Sequence, residues 1–232
     1  MKAEFNDRGF DSHNIWRHSA IVRELYRKRA RGEAEEMTCA AQAAELLTPF
    51  FRPGDSVLDA GCGSGYFFHS LAARGLDAEY HGFDATAELI EVGRNELPAF
   101  GLPVDRLRVC RLEDFQGAAD HVLCMNVLSN VDNFHRPLER LLLAARKTLI
   151  LRESIADVGY CHYVVDEYLD PGVRLKVHVN TYARREIMPF IESYGFEVEE
   201  VVDRRTMGAT EMVIGYPHAW TFLRAVRSAP SL

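Results

Sequence analysis

Two acids and a run of glycines carry the most specific chemical signal in this sequence. Residues 57–65 read Val-Leu-Asp-Ala-Gly-Cys-Gly-Ser-Gly, an apolar run that ends in Asp59 and opens into Gly61, Gly63 and Gly65. Val57 and Leu58 have the character of a buried strand, and Tyr66, Phe67, Phe68, Leu71 and Ala72 have helical spacing, so the glycines fall on a strand-to-helix turn. Gly61 and Gly63 remove side chains that would hold a ligand off the backbone, while a helix start offers free N–H groups and a positive dipole end. A small polar ligand suits such a turn. A dinucleotide fingerprint needs a third small residue where Tyr66 stands, and an acid ahead of the first glycine repels a pyrophosphate but suits an ammonium group.

A second acid lies 25 positions on, at the end of the strand-like run Ala78 to Asp84. That separation fits one strand–helix–strand crossover, which places Asp59 and Asp84 at the carboxyl ends of neighbouring parallel strands, where α/β sheets bind ligands. A carboxylate there can accept both hydroxyl hydrogens of a ribose. It can also cap the helix that Thr86 and Glu88 begin.

The glycine run and Asp84 resemble the first two motifs of the class I S-adenosylmethionine-dependent methyltransferases, a likeness that extends over about residues 54–152. The resemblance implies S-adenosyl-L-methionine as cofactor, with its methionine end on Asp59, Gly61, Cys62 and Gly63 and its ribose on Asp84, beside Ala85. Many relatives place an acid directly after the third strand for the adenine amino group. Arg111 stands there in this chain, which leaves Glu113 or Asp114, with the backbone N–H of Leu112, to meet the adenine, or makes those acids plain solvated loop residues. Asn126 corresponds to the fourth motif, beside the transferable methyl. Asp132-Asn133 is similar to part of the acid set of metal-dependent catechol enzymes, but the other acids of such a site are not apparent and no metal is expected.

The elements that must position these residues follow from periodicity and breakers. A polar opening over residues 1–13 precedes Ile15, Trp16, Ser19, Val22, Leu25 and Tyr26 at helical spacing, and a second helix spans about 34–47, together an N-terminal helical cap over 1–48. Arg23, Arg27, Lys28, Arg29 and Arg31 crowd the first of these helices, as a solvated face or as partners for an anionic acceptor or the cofactor carboxylate. Further strands are expected at 107–111, 121–125 and 148–151, with a helix opened by Pro137 before the last. A helix over about 184–194, in which Pro189 predicts a kink or a late start, leads to two final strands at 196–203 and 219–227, and then a short tail. The expected fold is α/β: a doubly wound, mostly parallel seven-stranded sheet with a C-terminal antiparallel hairpin. A single domain is expected over 1–232, with the cofactor core at 54–152 and the C-terminal helix and hairpin at 182–232.

Periodicity lapses over 153–181, a lid insertion after strand 5 that should cover the acceptor pocket, unless it is a surface excursion or a dimer contact. Asn130, Tyr163, Tyr168, Asn180 and Tyr182 are the expected acceptor-lining residues. His178 and His162 are the candidate bases, since histidine titrates nearest neutrality. His178 is preferred because it alternates with Val177 and Val179 beside Asn180, although a plain pocket-wall role accounts for it as well.

With 34 acidic and 27 basic side chains the net charge is −7, which disfavours nucleic acid and anionic membrane surfaces as partners. No apolar run reaches membrane-spanning length, and the acidic start lacks a signal peptide's centre. The five cysteines have the look of reduced core fillers, so a cytoplasmic location is expected. The expected activity is methyl transfer to an O or N atom of a small-molecule acceptor. Alternatives are action on protein or RNA, a non-catalytic cofactor-binding partner protein, and a nicotinamide or nucleotide-sugar enzyme.

Overall fold

The computed structural model describes residues 8–228. The first part of the polar opening, residues 1–7, and most of the C-terminal tail, residues 229–232, lie outside the described residues. The chain begins with helix α1 (Arg8–His13) and a 3-10 turn at Ile15–His18, then α2 (Ala20–Ala30) and α3 (Thr38–Leu47). The helix expected to run unbroken from Ile15 to Tyr26 is thus divided. Ser19 divides it by acting as the N-cap of α2, its side chain accepting the Val22 N–H at 3.3 Å.

The core follows as β1 (Ser56–Ala60), α4 (Phe67–Ala72), β2 (Glu79–Asp84), α5 (Ala87–Glu96), β3 (Leu107–Val109), β4 (Ala119–Met125), α6 (His135–Ala144) and β5 (Ala145–Ala156). The lid is β6 (Tyr160–Val165) and β7 (Lys176–Ala183), and the chain closes with α7 (Arg184–Glu192), β8 (Phe196–Val202), β9 (Glu211–Val213), β10 (Tyr216–His218) and β11 (Trp220–Arg227). Among the described residues the main sheet runs β3-β2-β1-β4-β5-β11-β8. The first five strands are parallel, and β11 pairs antiparallel with both β5 and β8, which is the expected hairpin with a small β9–β10 ribbon in its connection.

One apolar layer packs each face of the sheet, as continuous strand apolarity requires. Leu58, Val122, Leu149 and Leu151 meet α6 and α7 residues such as Leu138, Leu141, Ile187 and Ile191. Val57, Leu123 and Ile150 meet Ala43, Leu47, Phe67 and Ile90 on the other face. Pro189 lies inside α7 without ending it, and the full burial of Ile187 and Ile191 explains why the helix persists through a missing N–H.

Strand β5 extends five residues beyond the expected 148–151. The lid is a regular antiparallel hairpin in which Tyr163 faces His178 and Cys161 faces Asn180, with β7 joined to the end of β5 at Ile155–Tyr182. Residues 160–165 alternate half-buried and exposed, a period-2 pattern that their aromatic and polar composition conceals from an apolar count.

Candidate functional site

The glycine loop is a tight turn: Gly61, Gly63 and Gly65 have φ of 72°, 58° and 77°, a region in which a side chain is strained. The freed space is taken by the chain itself. A Cβ on Gly61 would stand 2.3 Å from Val127 Cγ2, and one on Gly63 would stand 2.1 Å from Tyr26 Cε1. The loop nitrogens are also committed, Gly61 and Cys62 donating to the Phe83 carbonyl at 2.8 and 3.0 Å and Gly65 to the Cys62 carbonyl at 2.9 Å. Helix α4 starts at Phe67 rather than in the glycine run, so the free helix-start donors expected at the glycines are not there. The loop acts as a close-approach platform, with acids beneath and beside it.

Asp84, at the end of β2, is the acid beside it. Its Oδ2 accepts the Gly63 N–H at 2.9 Å and its Oδ1 accepts the Thr86 N–H at 2.7 Å. Burial raises its pKa and these bonds oppose the rise. The N-cap of α5 is Thr86, so Asp84 is not the cap of that helix. Ala85 sits between the two. Asp59 lies beneath the loop, 3% exposed, with its Oδ2 accepting the Tyr80 hydroxyl at 2.7 Å. Burial pushes its carboxyl up to about 7, opposed by Tyr80 and reinforced by the charge of Asp84. Tyr80, which fixes this acid, was not singled out by motif or spacing.

At the third strand, Arg111 lays its guanidinium over the Phe10 ring at 4.6 Å and stands 3.6 Å from Glu113. Leu112, Glu113 and Asp114 form a 3-10 turn at the same edge, with Leu112 buried.

The loop after β4 is held by Glu153, which the sequence reading passed over because the strand was expected to stop at Leu151. This fully buried carboxylate accepts the N–H groups of Val127 (2.9 Å), Leu128 (2.8 Å) and Ser129 (2.9 Å). Burial raises its pKa to about 7 against those three bonds. Its neighbour Arg152 points to the other face and fixes Asn126, whose φ is +60°, by an Nη1 bond to Oδ1 at 2.5 Å. Asn130 donates to the Asn126 carbonyl at 2.9 Å, which ties it to this loop.

The lid residues divide between the two faces of the hairpin. His178, Asn180 and Tyr182 share one face, as alternation predicts, but Asn180 and Tyr182 are buried and bonded to the loop, Asn180 to the Val131 carbonyl at 2.6 Å and Tyr182 to the Leu128 carbonyl. Tyr163 lies against the His178 ring at 4.6 Å and is half exposed, as is Tyr168. His162 is on the opposite face, stacked on Tyr216 at 4.0 Å, so the two histidines cannot share one proton path. His218 is buried beside Trp220, which begins β11 next to β5, with burial lowering its pKa.

The N-terminal arm and the lid clasp each other over this edge. Ser19 Oγ donates to the Tyr168 carbonyl (2.6 Å), the Ala20 N–H to Asp170 (2.8 Å), and the Asp170 N–H to the His18 carbonyl (2.8 Å). Ile15 packs with Val177 and Val179, and Asn14 bonds Thr86 at 3.0 Å, so the arm reaches from the lid to the loop that carries Asp84.

The profile of a family described as a methyltransferase domain matches residues 58–149. The ubiquinone biosynthesis O-methyltransferase of Chromobacterium violaceum is 37% identical over 82 residues, 34% of this chain and 34% of that protein. The mitochondrial enzyme of the same name from Saccharomyces cerevisiae is 35% identical over 83 residues, 35% of this chain and 27% of that protein. The match therefore spans about a third of the length of these curated relatives. Among solved structures, the magnesium protoporphyrin IX methyltransferase of Synechocystis PCC 6803 superposes with a TM-score of 0.58 at 18% identity, covering 90% of this chain and 98% of the other. The amino pentose methyltransferase of Micromonospora echinaspora does so with 0.56 at 17%, covering 88% and 97%. Glycine motif, second-strand acid and sheet order agree with these likenesses: residues 58–149 match a methyltransferase domain, and the chain has the Rossmann-like fold of these solved S-adenosylmethionine-dependent methyltransferases.

Proposed function

We propose that this protein transfers the methyl group of S-adenosyl-L-methionine to an O or N atom of a small-molecule acceptor. The observation that carries the reading is Asp84, held between the Gly63 and Thr86 N–H groups at the carboxyl edge of the sheet, with lone pairs left over for two ribose hydroxyls. The residues fit the cofactor: Asp59 suits its ammonium group, the backbone of Gly61, Cys62 and Gly63, packed by Val127 and Tyr26, borders its methionine end, and Leu112, Glu113 and Asp114 edge the adenine place. The bound cofactor supplies an electrophilic methyl on a sulfonium sulfur, so the protein's share is alignment and exclusion of water more than acid–base work.

The core 54–152 holds the cofactor and the lid hairpin over residues 160–183 closes over the acceptor, with Asn126, Asn130, Tyr163, Tyr168, Asn180 and Tyr182 shaping that side. His178 is our first candidate to take a proton from the acceptor and His162 the second. His218, buried at the same edge, joins them on geometry. The solved structures named above are methyltransferases of small molecules, magnesium protoporphyrin IX and an amino pentose, which supports a small acceptor, and no helix among the described residues is long and apolar enough to cross a membrane. We place the protein in the cytoplasm on its cysteine usage, expect no nucleic-acid partner from its charge, and leave a homodimer open. Calorimetric titration with S-adenosylhomocysteine tests the reading: micromolar binding supports it, and binding of NADH with none of S-adenosylhomocysteine overturns it.

A further inference from the structure

Arg152 is the most unusual group at this edge. It is 2% exposed, on a central strand, and two of its three nitrogens are committed: Nε to Asp203 Oδ2 at 2.5 Å and Nη1 to Asn126 Oδ1 at 2.5 Å. Nη2 is buried and has no hydrogen-bond partner. A buried guanidinium with two unpaired N–H bonds on one nitrogen is costly, and native proteins retain such a donor where something else completes it. The fork cannot swing away to find a partner, because Trp220 lies against it with the ring centroid 4.4 Å from Cζ.

The nearest carboxylates already have partners and leave Nη2 unserved. Asp203 is shared with the Thr206 N–H and hydroxyl and is the carboxylate paired with Arg152. Glu211 is paired off with Arg205. Arg29 of α2 lies over the rings of Tyr26 and Tyr66 at 5.3 and 5.2 Å, and among the described residues no carboxylate lies within ion-pair distance of it. Burial raises the pKa of the Cys39 thiol in the first turn of α3, with the charges of Arg152 and Arg29 opposing the rise and Asp203 adding to it. Tyr26 ties the region to the glycine loop, because its ring lies against Gly63.

We propose that Arg152 is the built half of a carboxylate-binding site whose anion arrives with a ligand. A carboxylate on Nη2 would complete the guanidinium's hydrogen bonds, and its planar geometry matches the fork. Two ligands of the proposed reaction can bring that group, the cofactor through its methionine carboxylate or an acceptor that is itself a carboxylic acid. The inference rests on the reading of the chain as a methyltransferase and gives its substrate site a chemical class.

The test compares S-adenosylhomocysteine with its decarboxylated analogue on the wild-type protein, then titrates benzoate into protein saturated with S-adenosylhomocysteine, and repeats both with Arg152→Lys. If the cofactor brings the anion, removing its carboxylate weakens binding by about thirtyfold in the wild type and by less than about threefold in Arg152→Lys. If the acceptor brings it, the two nucleosides bind alike, and benzoate binds the loaded wild type but not the variant. Indifference of the wild type to the cofactor carboxylate, together with no benzoate binding, overturns the proposal and needs no variant to fold. That result leaves S-adenosylhomocysteine binding intact, whereas failure of the methyltransferase reading appears as no binding of either nucleoside, and the proposal falls with it.

Discussion

Asp84 Oδ2 lies 2.9 Å from the backbone nitrogen of Gly63, so the acid that ends the second strand is bonded directly to the glycine loop that follows the first. The bond orients the carboxylate as well as the loop, because Asp84 Oδ1 is held by Thr86 at the same time. Asp84→Ala removes both anchors and the two charge-assisted bonds to a ribose, each worth roughly 1.5–3 kcal/mol. Affinity for S-adenosylhomocysteine should fall on the order of a hundredfold or more. A calorimetric change below about threefold would contradict the assignment.

Gly63→Val should abolish cofactor binding, and the structure adds a cost to the fold. The new Cβ meets the Tyr26 ring at 2.1 Å, at a φ of 58° that a β-branched residue resists. The expected result is a lowered melting temperature together with lost binding, α2 being displaced from the loop. Unchanged melting with retained affinity would show that Tyr26 yields freely and that the loop is not the cofactor platform.

Glu153→Gln tests the loop after β4. The variant keeps the shape but turns an amide NH2 toward backbone N–H groups that now share one acceptor, at a cost of about 1–3 kcal/mol, or roughly 2–10 °C of melting temperature for a chain of this size. Turnover should fall as well, since Asn126 and Asn130 ride on that loop. Melting within about 1 °C of wild type would mean that water replaces the lost acceptor.

The parts of the site that were legible in the sequence are those written locally. Asp59, the glycines and Asp84 obey strand and crossover spacing, and that spacing survives folding because one strand–helix–strand unit contains it. Arg152 and Glu153 escaped because a charged pair at the end of an apolar run reads as the end of a strand. Here the strand continues, alternation sends the two side chains to opposite faces, and each meets partners 24 or more positions away. The lid's strands were hidden for a related reason. Their pairing is stabilised by Ile15 and Ser19 of the arm, contacts no local window contains.

The base of the sheet makes a separate prediction about pH. Asp55 bonds Lys147 at 2.5 Å and the buried His121 at 2.9 Å. Burial pushes the Asp55 carboxyl up, but Lys147, His121 and the Arg52 N–H together outweigh it and bring the pKa down to about 2. A carboxyl depressed in the folded state contributes stability that is present above its unfolded pKa of about 4 and is lost as pH falls toward 2. Asp59 and Glu153, both raised to about 7, act the other way between pH 4 and 7, so the clean window lies below pH 4. The stability difference between wild type and Asp55→Asn, measured by urea unfolding, should shrink from pH 4 to pH 2. A difference that stays constant across that interval would remove Asp55 from the acid transition.

Wild-type protein incubated with methyl-labelled S-adenosylmethionine and fractionated cell extract puts the central claim to its most direct test, with Asp84→Ala as the control. Label should pass into the low-mass fraction with the wild type and not with the control. No transfer to any fraction, or label entering only protein or RNA, would contradict a methyltransferase acting on a small molecule.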